Sequence, residues 1–279
     1  MKPAKFEYER PASLDAALRV LADNPSAKII AGGQSLGPML NLRLFEPSLL
    51  IDISRLGELR ARAADDGDVV VGACVRHAEF EDGRVPAVLN GLFERAARQI
   101  AYRAVRNRGT IGGSLAHADP AADWPAIMIA LAAQVEVSSV RGTRRIPASE
   151  LPSQALENCL EADEIITSLR VARCGEGARL GYYRLSAQPG EFAEALTVIV
   201  HDPERKYTQA VLSGARQPPQ RLPQTARAVA AHYSGHGKAD VASAVEADLT
   251  ALCGKHALTR YEYNVRKASV LRAVQEILA

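Results

Sequence analysis

The sequence predicts an α+β fold, on three observations. The N-terminal fifth reads as a β-α-β opening, with short apolar runs on either side of an amphipathic stripe. From about Arg179, apolar runs follow one another with turn residues between them, as in an antiparallel meander. The chain then closes with three helical stretches, near 224–233, 240–253 and 259–278.

The elements follow in order. Phe6-Glu7-Tyr8 is a short strand. Ser13 is an N-cap, and Leu14, Ala17, Leu18 and Leu21 form a helical stripe that Asn24-Pro25 ends. Ala27 to Ile30 is a strand that runs into Ala31-Gly32-Gly33-Gln34-Ser35, and Leu49 to Ile53 is the next strand. Val69 to Ala73 reads as a strand bounded by turns, and Leu89 to Ile100 as a helix. A Gly-rich loop, Gly109 to Ser114, follows. Asp119-Pro120 reads as a cap and first turn ahead of an apolar helix from about Pro125 to Ala133. Strands are expected at Val135–Val137, Ile165–Leu169, Tyr182–Arg184, Ala195–Val200 and Gln209–Ser213, with Pro218-Pro219 and Pro223 as punctuation. Boundaries fall near 57 and 177, giving units 1–57, 58–177 and 178–279.

Composition narrows the function classes. The chain has 279 residues, 47% apolar and 24% charged, enough to bury a substantial core. Lys+Arg is 34 against 32 Asp+Glu, a balance that argues against nucleic acid or an anionic membrane as the main partner. No apolar leader follows Met1, and the most apolar run, Ala126 to Ala133, is too short for a membrane span. Cys74, Cys159, Cys174 and Cys253 are too scattered for a cluster, a thiolate zinc site or a disulfide framework, so a cytoplasmic location is expected. His232 and His236 lie four apart across Gly235 and read as a polar turn; no metal site is expected.

Two Gly-rich segments carry the chemistry. Glycine lets a backbone turn tightly and present successive N–H groups to an anion. Gly32-Gly33-Gln34-Ser35 leaves a strand, and Thr110-Ile111-Gly112-Gly113-Ser114 precedes an apolar helix. Together they could hold a pyrophosphate from two sides, with hydroxyls from Ser35, Thr110 and Ser114. Pro38 stands where a P-loop needs Lys, and neither segment is G-x-G-x-x-G. Asp119 and Asp123 would repel a phosphate, so either would serve as a cap or as an acceptor for sugar-type hydroxyls. Arg106 and Arg108 could offset phosphate charge or simply form a solvated basic turn. No nucleophile–base constellation is visible, so no catalytic side chain is expected and a cofactor would do the chemistry.

The stretch Ala31-Gly32-Gly33-Gln34-Ser35-Leu36-Gly37-Pro38-Met39-Leu40-Asn41-Leu42-Arg43-Leu44, taken with Arg106-Asn107-Arg108-Gly109-Thr110-Ile111-Gly112-Gly113-Ser114 and on to Asp123, resembles the two FAD-binding motifs of the flavoprotein subunit of molybdenum hydroxylases, the medium subunit of the aerobic carbon monoxide dehydrogenase type. The resemblance implies a two-subdomain FAD-binding fold of the vanillyl-alcohol-oxidase (PCMH) type, then a C-terminal domain of a three-stranded antiparallel sheet plus helices. It implies FAD held by Ala31, Gly32, Gly33, Gln34, Ser35 and Leu36 and by Thr110, Ile111, Gly112, Gly113 and Ser114. Asp123 would hold a cofactor hydroxyl, and Arg184 would approach the flavin ring in place of a common Lys. The implied partners are a large molybdenum-cofactor subunit and a small subunit with two [2Fe–2S] clusters, in a heterotrimer or a dimer of heterotrimers. Electrons would run from the clusters to FAD and on to an external acceptor. One departure is present: where the family often has a basic stretch, this chain reads Ser186-Ala187-Gln188-Pro189-Gly190-Glu191-Phe192. The alternatives are a stand-alone FAD-dependent oxidoreductase on the same fold and a flavin-free assembly relative.

Overall fold

The computed structural model describes residues 2–65, 67–214, 216–234 and 240–279, so His236 lies outside the described residues. The N-terminal unit runs β1 (Glu7–Glu9), α1 (Leu14–Asp23), β2 (Lys28–Ile30), α2 (Leu36–Asn41) and β3 (Leu49–Asp52). Its strands form a parallel sheet in the order β1-β3-β2, with Ile30 opposite Asp52. Ser13 caps α1 by accepting the Ala16 N–H at 3.2 Å. The buried stripe of that helix, Ala17, Leu18 and Leu21, packs with Ile51, Ile53 and Leu59.

The middle unit places a five-stranded antiparallel sheet against a group of short helices. The elements are β4 (Arg62–Asp65), β5 (Asp68–Gly72), α3 (His77–Glu81), α4 (Leu92–Gln99), α5 (Arg103–Arg106), α6 (Ile111–His117), α7 (Asp123–Ala130), β6 (Gln134–Ser139), β7 (Gly142–Pro147), the small pair β8 (Pro152–Gln154) and β9 (Glu157–Asn158), and β10 (Ile165–Ala172). The order is β4-β5-β10-β6-β7. Every residue of α7 is buried, and after Asp123 the helix is apolar all round and sits in the largest core. Trp124 packs there against Phe80, tilted at a ring-centroid distance of 4.5 Å, and edge-on against Phe93 at 5.9 Å.

The C-terminal unit is an antiparallel sheet β11 (Arg179–Leu185), β12 (Ala195–Asp202), β13 (Tyr207–Gly214) and β14 (Gln217–Arg221), followed by α8 (Pro223–Tyr233), α9 (Val241–Lys255) and α10 (Arg260–Leu278). β12 is buried along its whole length. One face joins the core around α7, and the other supports the three helices. Thr259 and Glu262 form a reciprocal capping box at the start of α10.

Four local expectations change. The C-terminal sheet has a fourth strand, β14, built on Pro218 and Pro219; as an edge strand it can carry residues that donate nothing to a ladder. The second Gly-Gly pair lies inside the first turn of α6 rather than in an open loop. Asp119 caps no helix: its Oδ1 accepts the Ala121 N–H at 2.9 Å in a turn, and α7 begins at Asp123. The helix expected from Leu89 begins at Leu92, after Asn90 and Gly91 adopt positive φ.

α10 lies on β11 with almost no gap. A Cβ built on Gly181 would stand 2.2 Å from the carbonyl oxygen of Ala273. Gly181→Ala is therefore expected to destabilise the chain by about 1–3 kcal/mol, read as a lowered urea midpoint with an unchanged slope.

Candidate functional site

The first Gly-rich segment leaves the C-terminal end of β2, at the edge of the parallel sheet where ligands of open α/β sheets collect. Gly33 has φ +69°, and its carbonyl accepts the Gly37 N–H at 2.9 Å to start α2. Gln34 folds back, its Nε2 donating to the Gly32 carbonyl at 3.1 Å. Ser35 precedes α2 without capping it through its side chain. Among the described residues, the N–H groups of Gly33, Gln34, Ser35 and Leu36 have no acceptor within the chain. Gln34 and Ser35 are exposed, and Ala31, Gly33 and Leu36 are half-buried. This is a set of adjacent donors open to an anion.

The second segment is built differently. Its amides are already used: Ile111 N–H donates to the Val75 carbonyl (3.1 Å), Gly112 to Ala73 (2.9 Å) and Ser114 to Thr110 (3.0 Å). Thr110 caps α6 by accepting the Gly113 N–H at 3.1 Å. Gly112 is needed because a Cβ there would lie 2.5 Å from the Ala73 Cβ. What this segment leaves accessible is the half-buried Ser114 and the exposed backbone of Gly113, while Thr110 is buried with its hydroxyl capping α6.

The two segments touch. A Cβ on the buried Gly32 would stand 2.3 Å from the Arg108 carbonyl oxygen and 2.8 Å from the Gly109 Cα. Gly109 in turn lies against the His77 imidazole, and its carbonyl accepts the His77 N–H at 3.0 Å. His77 Nδ1 accepts from Trp124 Nε1 at 3.0 Å, which ties the second segment to the core of α7. Burial, with Arg106 adding to it, pulls the His77 imidazole down to about 4, so it is neutral. His77 and Trp124 were not among the residues expected from sequence; a lone His among charged neighbours carries no signal of a partner 47 residues away.

Arg106 does not face a ligand. Its guanidinium is buried and pairs with Glu81 at 2.7 and 3.0 Å, and it donates to the carbonyls of Ile100 and Ala101, both at 2.8 Å. It braces the chain entering the second segment. Arg108 is exposed and has no acidic partner among the described residues.

Asp123 and Arg184, 61 residues apart, form a buried ion pair with Oδ1 to Nε at 2.7 Å. Burial pushes the Asp123 carboxyl up, and Arg184 offsets part of that rise. The neighbouring Tyr182 hydroxyl is buried without a hydrogen-bond partner among the described residues. At the sheet edge near the first segment, Tyr8 and Arg10 both donate to Asp52. Although burial alone would raise it, hydrogen bonds from Ser54, Tyr8 and Arg10 hold the Asp52 carboxyl at about 2. Sequence reasoning missed this trio, because a strand residue pairs across the sheet with a register that only folding sets.

Gly32→Ala is expected to force the two segments apart at a cost of about 1–3 kcal/mol. Gly37→Ala, where nothing lies within 4 Å, is expected to be neutral or slightly stabilising in the same chemical-denaturation measurement. His77 keeps a folded-state pKa of about 4 against an ordinary 6.5. Its contribution to stability is therefore complete above about pH 6.5 and declines toward pH 4, by up to about 1.4 kcal/mol per pH unit. His77→Gln should flatten that part of the stability profile.

The free amides of the first segment, the close glycine approach and the flanking hydroxyls fit the pyrophosphate of a dinucleotide. Residues 4–173 match the family model described as FAD binding domain in molybdopterin dehydrogenase. The chain is 34% identical over 281 residues to the nicotine 6-hydroxylase medium subunit of Paenarthrobacter nicotinovorans, covering 99% of this chain and 98% of that one. It is 39% identical over 213 residues to subunit alpha of the 6-hydroxypseudooxynicotine dehydrogenase complex of the same organism, covering 75% of this chain and 72% of that one. A chain of the carbon monoxide dehydrogenase structure from Hydrogenophaga pseudoflava superposes with a TM-score of 0.88 at 30% identity, covering 100% of this chain and 99% of its own. The chain belongs to the family of FAD-binding subunits of molybdenum hydroxylase-type oxidoreductases, and its cofactor is FAD.

Proposed function

We propose that the chain is the electron-transfer subunit of a molybdenum hydroxylase or dehydrogenase, accepting electrons from [2Fe–2S] clusters on a small subunit and passing them to an external acceptor. Substrate oxidation takes place on a large molybdenum-cofactor subunit, and the three chains form a heterotrimer or a dimer of heterotrimers in the cytoplasm. Support comes from the end-to-end similarity to a chain named as a medium subunit. No helix among the described residues is long and apolar enough to cross a membrane.

The observation that carries the cofactor assignment to residues is the run of four free amides, Gly33 to Leu36, set directly against the second segment. In this reading these amides and the Ser35 hydroxyl hold the pyrophosphate. Ala31, Gly32 and Gln34 shape the turn. Ile111 and Gly112 anchor α6, and Thr110, Gly113 and Ser114 close the other side of the cradle. Arg108 supplies positive charge at its rim. The cofactor lies between units 1–57 and 58–177, with unit 178–279 behind the second. Bound flavin supplies the ability to take up and release electrons, so the chain needs no nucleophile of its own. What the chain contributes is binding, orientation and a largely dry wall.

The test begins with the purified full chain. Acid-released FAD is expected near one per chain, and Gly32→Ala is expected to weaken FAD at least tenfold by titration. The chain co-expressed with candidate molybdenum and iron–sulfur subunits should co-purify with them, and its flavin should bleach when the complex receives substrate under anaerobic conditions. A chain that turns over a substrate alone, with no partner, would overturn the electron-transfer assignment.

A further inference from the structure

The ion pair between Asp123 and Arg184 is a joint between three parts of the fold. Asp123 opens α7, and Arg184 lies near the end of β11. Their side chains are only 4% and 3% exposed. With Nε held by Asp123, Arg184 Nη1 donates to Ser186 Oγ at 2.9 Å and Nη2 donates to the Glu191 carbonyl. Both of these partners belong to the connection between β11 and β12. Among the described residues that connection has few backbone ties of its own: Glu191 N–H to Gln188 O at 3.2 Å and Glu194 N–H to Leu185 O at 2.9 Å. Gly190, at φ +85°, comes so close to the 100–102 segment that a Cβ there would be 3.1 Å from the Ala101 carbonyl oxygen. The turn is thus seated against the segment that leads into the second Gly-rich motif.

We propose that Asp123 is a positioning residue: by holding Arg184 as a charge-neutral pair it fixes the 186–192 turn, and it influences FAD binding through Arg184 and that turn rather than by contact with the cofactor. Only the last clause rests on the FAD reading of the site. The planar guanidinium is what makes the joint work, because its nitrogens reach Asp123, Ser186 and Glu191 in three fixed directions at once. An ammonium at the same position would keep the charge and the attraction to Asp123, but not the other two contacts. Pairing also settles an electrostatic conflict: the buried carboxylate of Asp123, left alone, would repel any phosphate nearby.

The test is hydrogen–deuterium exchange on the flavin-free full-length chain, followed by FAD titration of the same proteins. Asp123→Asn and Arg184→Lys are each expected to speed exchange across 186–192 at least tenfold and to leave β12 protected. The double variant should be no faster than the faster single one. Arg184→Lys keeps the buried charges paired, so it reports on the turn even where Asp123→Asn loosens the core, which a rise in β12 exchange would reveal. Exchange at the turn within twofold of wild type in Arg184→Lys overturns the proposal. In the FAD titration both single variants should weaken binding to the same degree, with the double variant no weaker. Loss of affinity in Asp123→Asn alone, with Arg184→Lys near wild type, would mean direct contact between Asp123 and the cofactor and would also overturn it. Should the wild-type chain bind no FAD, the FAD reading fails while exchange at the turn still decides the pinning.

Discussion

The approach of the Gly32 backbone to the Arg108 carbonyl and the Gly109 Cα is the contact on which the site depends. It joins a loop on a small parallel sheet to a helix start in a separate, larger core. No side chain fits between them, so the distance between the two motifs is set by main chain against main chain. Everything behind the contact serves to hold it. His77 and Trp124 fix Gly109 from the core side. Arg106, Glu81 and the carbonyls of Ile100 and Ala101 fix the segment that leads to it. A buried guanidinium with this many partners is satisfied only in one arrangement, which is how charge becomes a source of precision rather than of net stability.

The two motifs look alike in sequence and do different work. In the first, glycine provides an unusual backbone conformation and leaves amides unpaired. In the second, glycine provides closeness: Gly112 lets α6 lie on Ala73, and the amides are used to hold α6 in place. The first motif therefore leaves its donors open, whereas the second is a rigid wall with a few hydroxyls. A helix start that is anchored in this way loses no entropy when a ligand arrives, so less of the binding energy is spent on ordering it.

Much of the fold could be read from local pattern. The stripe of α1, its Ser13 cap, the apolar strands and the three C-terminal helices were all visible, because short-range periodicity and capping are properties of neighbouring residues. The expectations that changed are ones where a local signal was outweighed. Pro218 and Pro219 read as breaks yet form a strand, since an edge position asks for hydrogen bonds on one side only. Asp119-Pro120 reads as a helix start, yet the Asp119 side chain closes a turn and the helix begins at Asp123.

The sequence by itself determined that this chain carries two Gly-rich segments with flanking hydroxyls and the motif pair of a flavoprotein family. Those are matters of residue type and order. Only the tertiary structure decided that Gly32 rests on Arg108, that the amides of Gly33 to Leu36 stay free while those after Thr110 are used, and that Arg106 turns inward to Glu81. It also decided that Asp123 faces Arg184, across 61 residues of chain. The physical reason is that a donor or a charge acquires its role from the partner that reaches it. That partner is chosen by the packing of distant segments around a shared core, which no local pattern encodes.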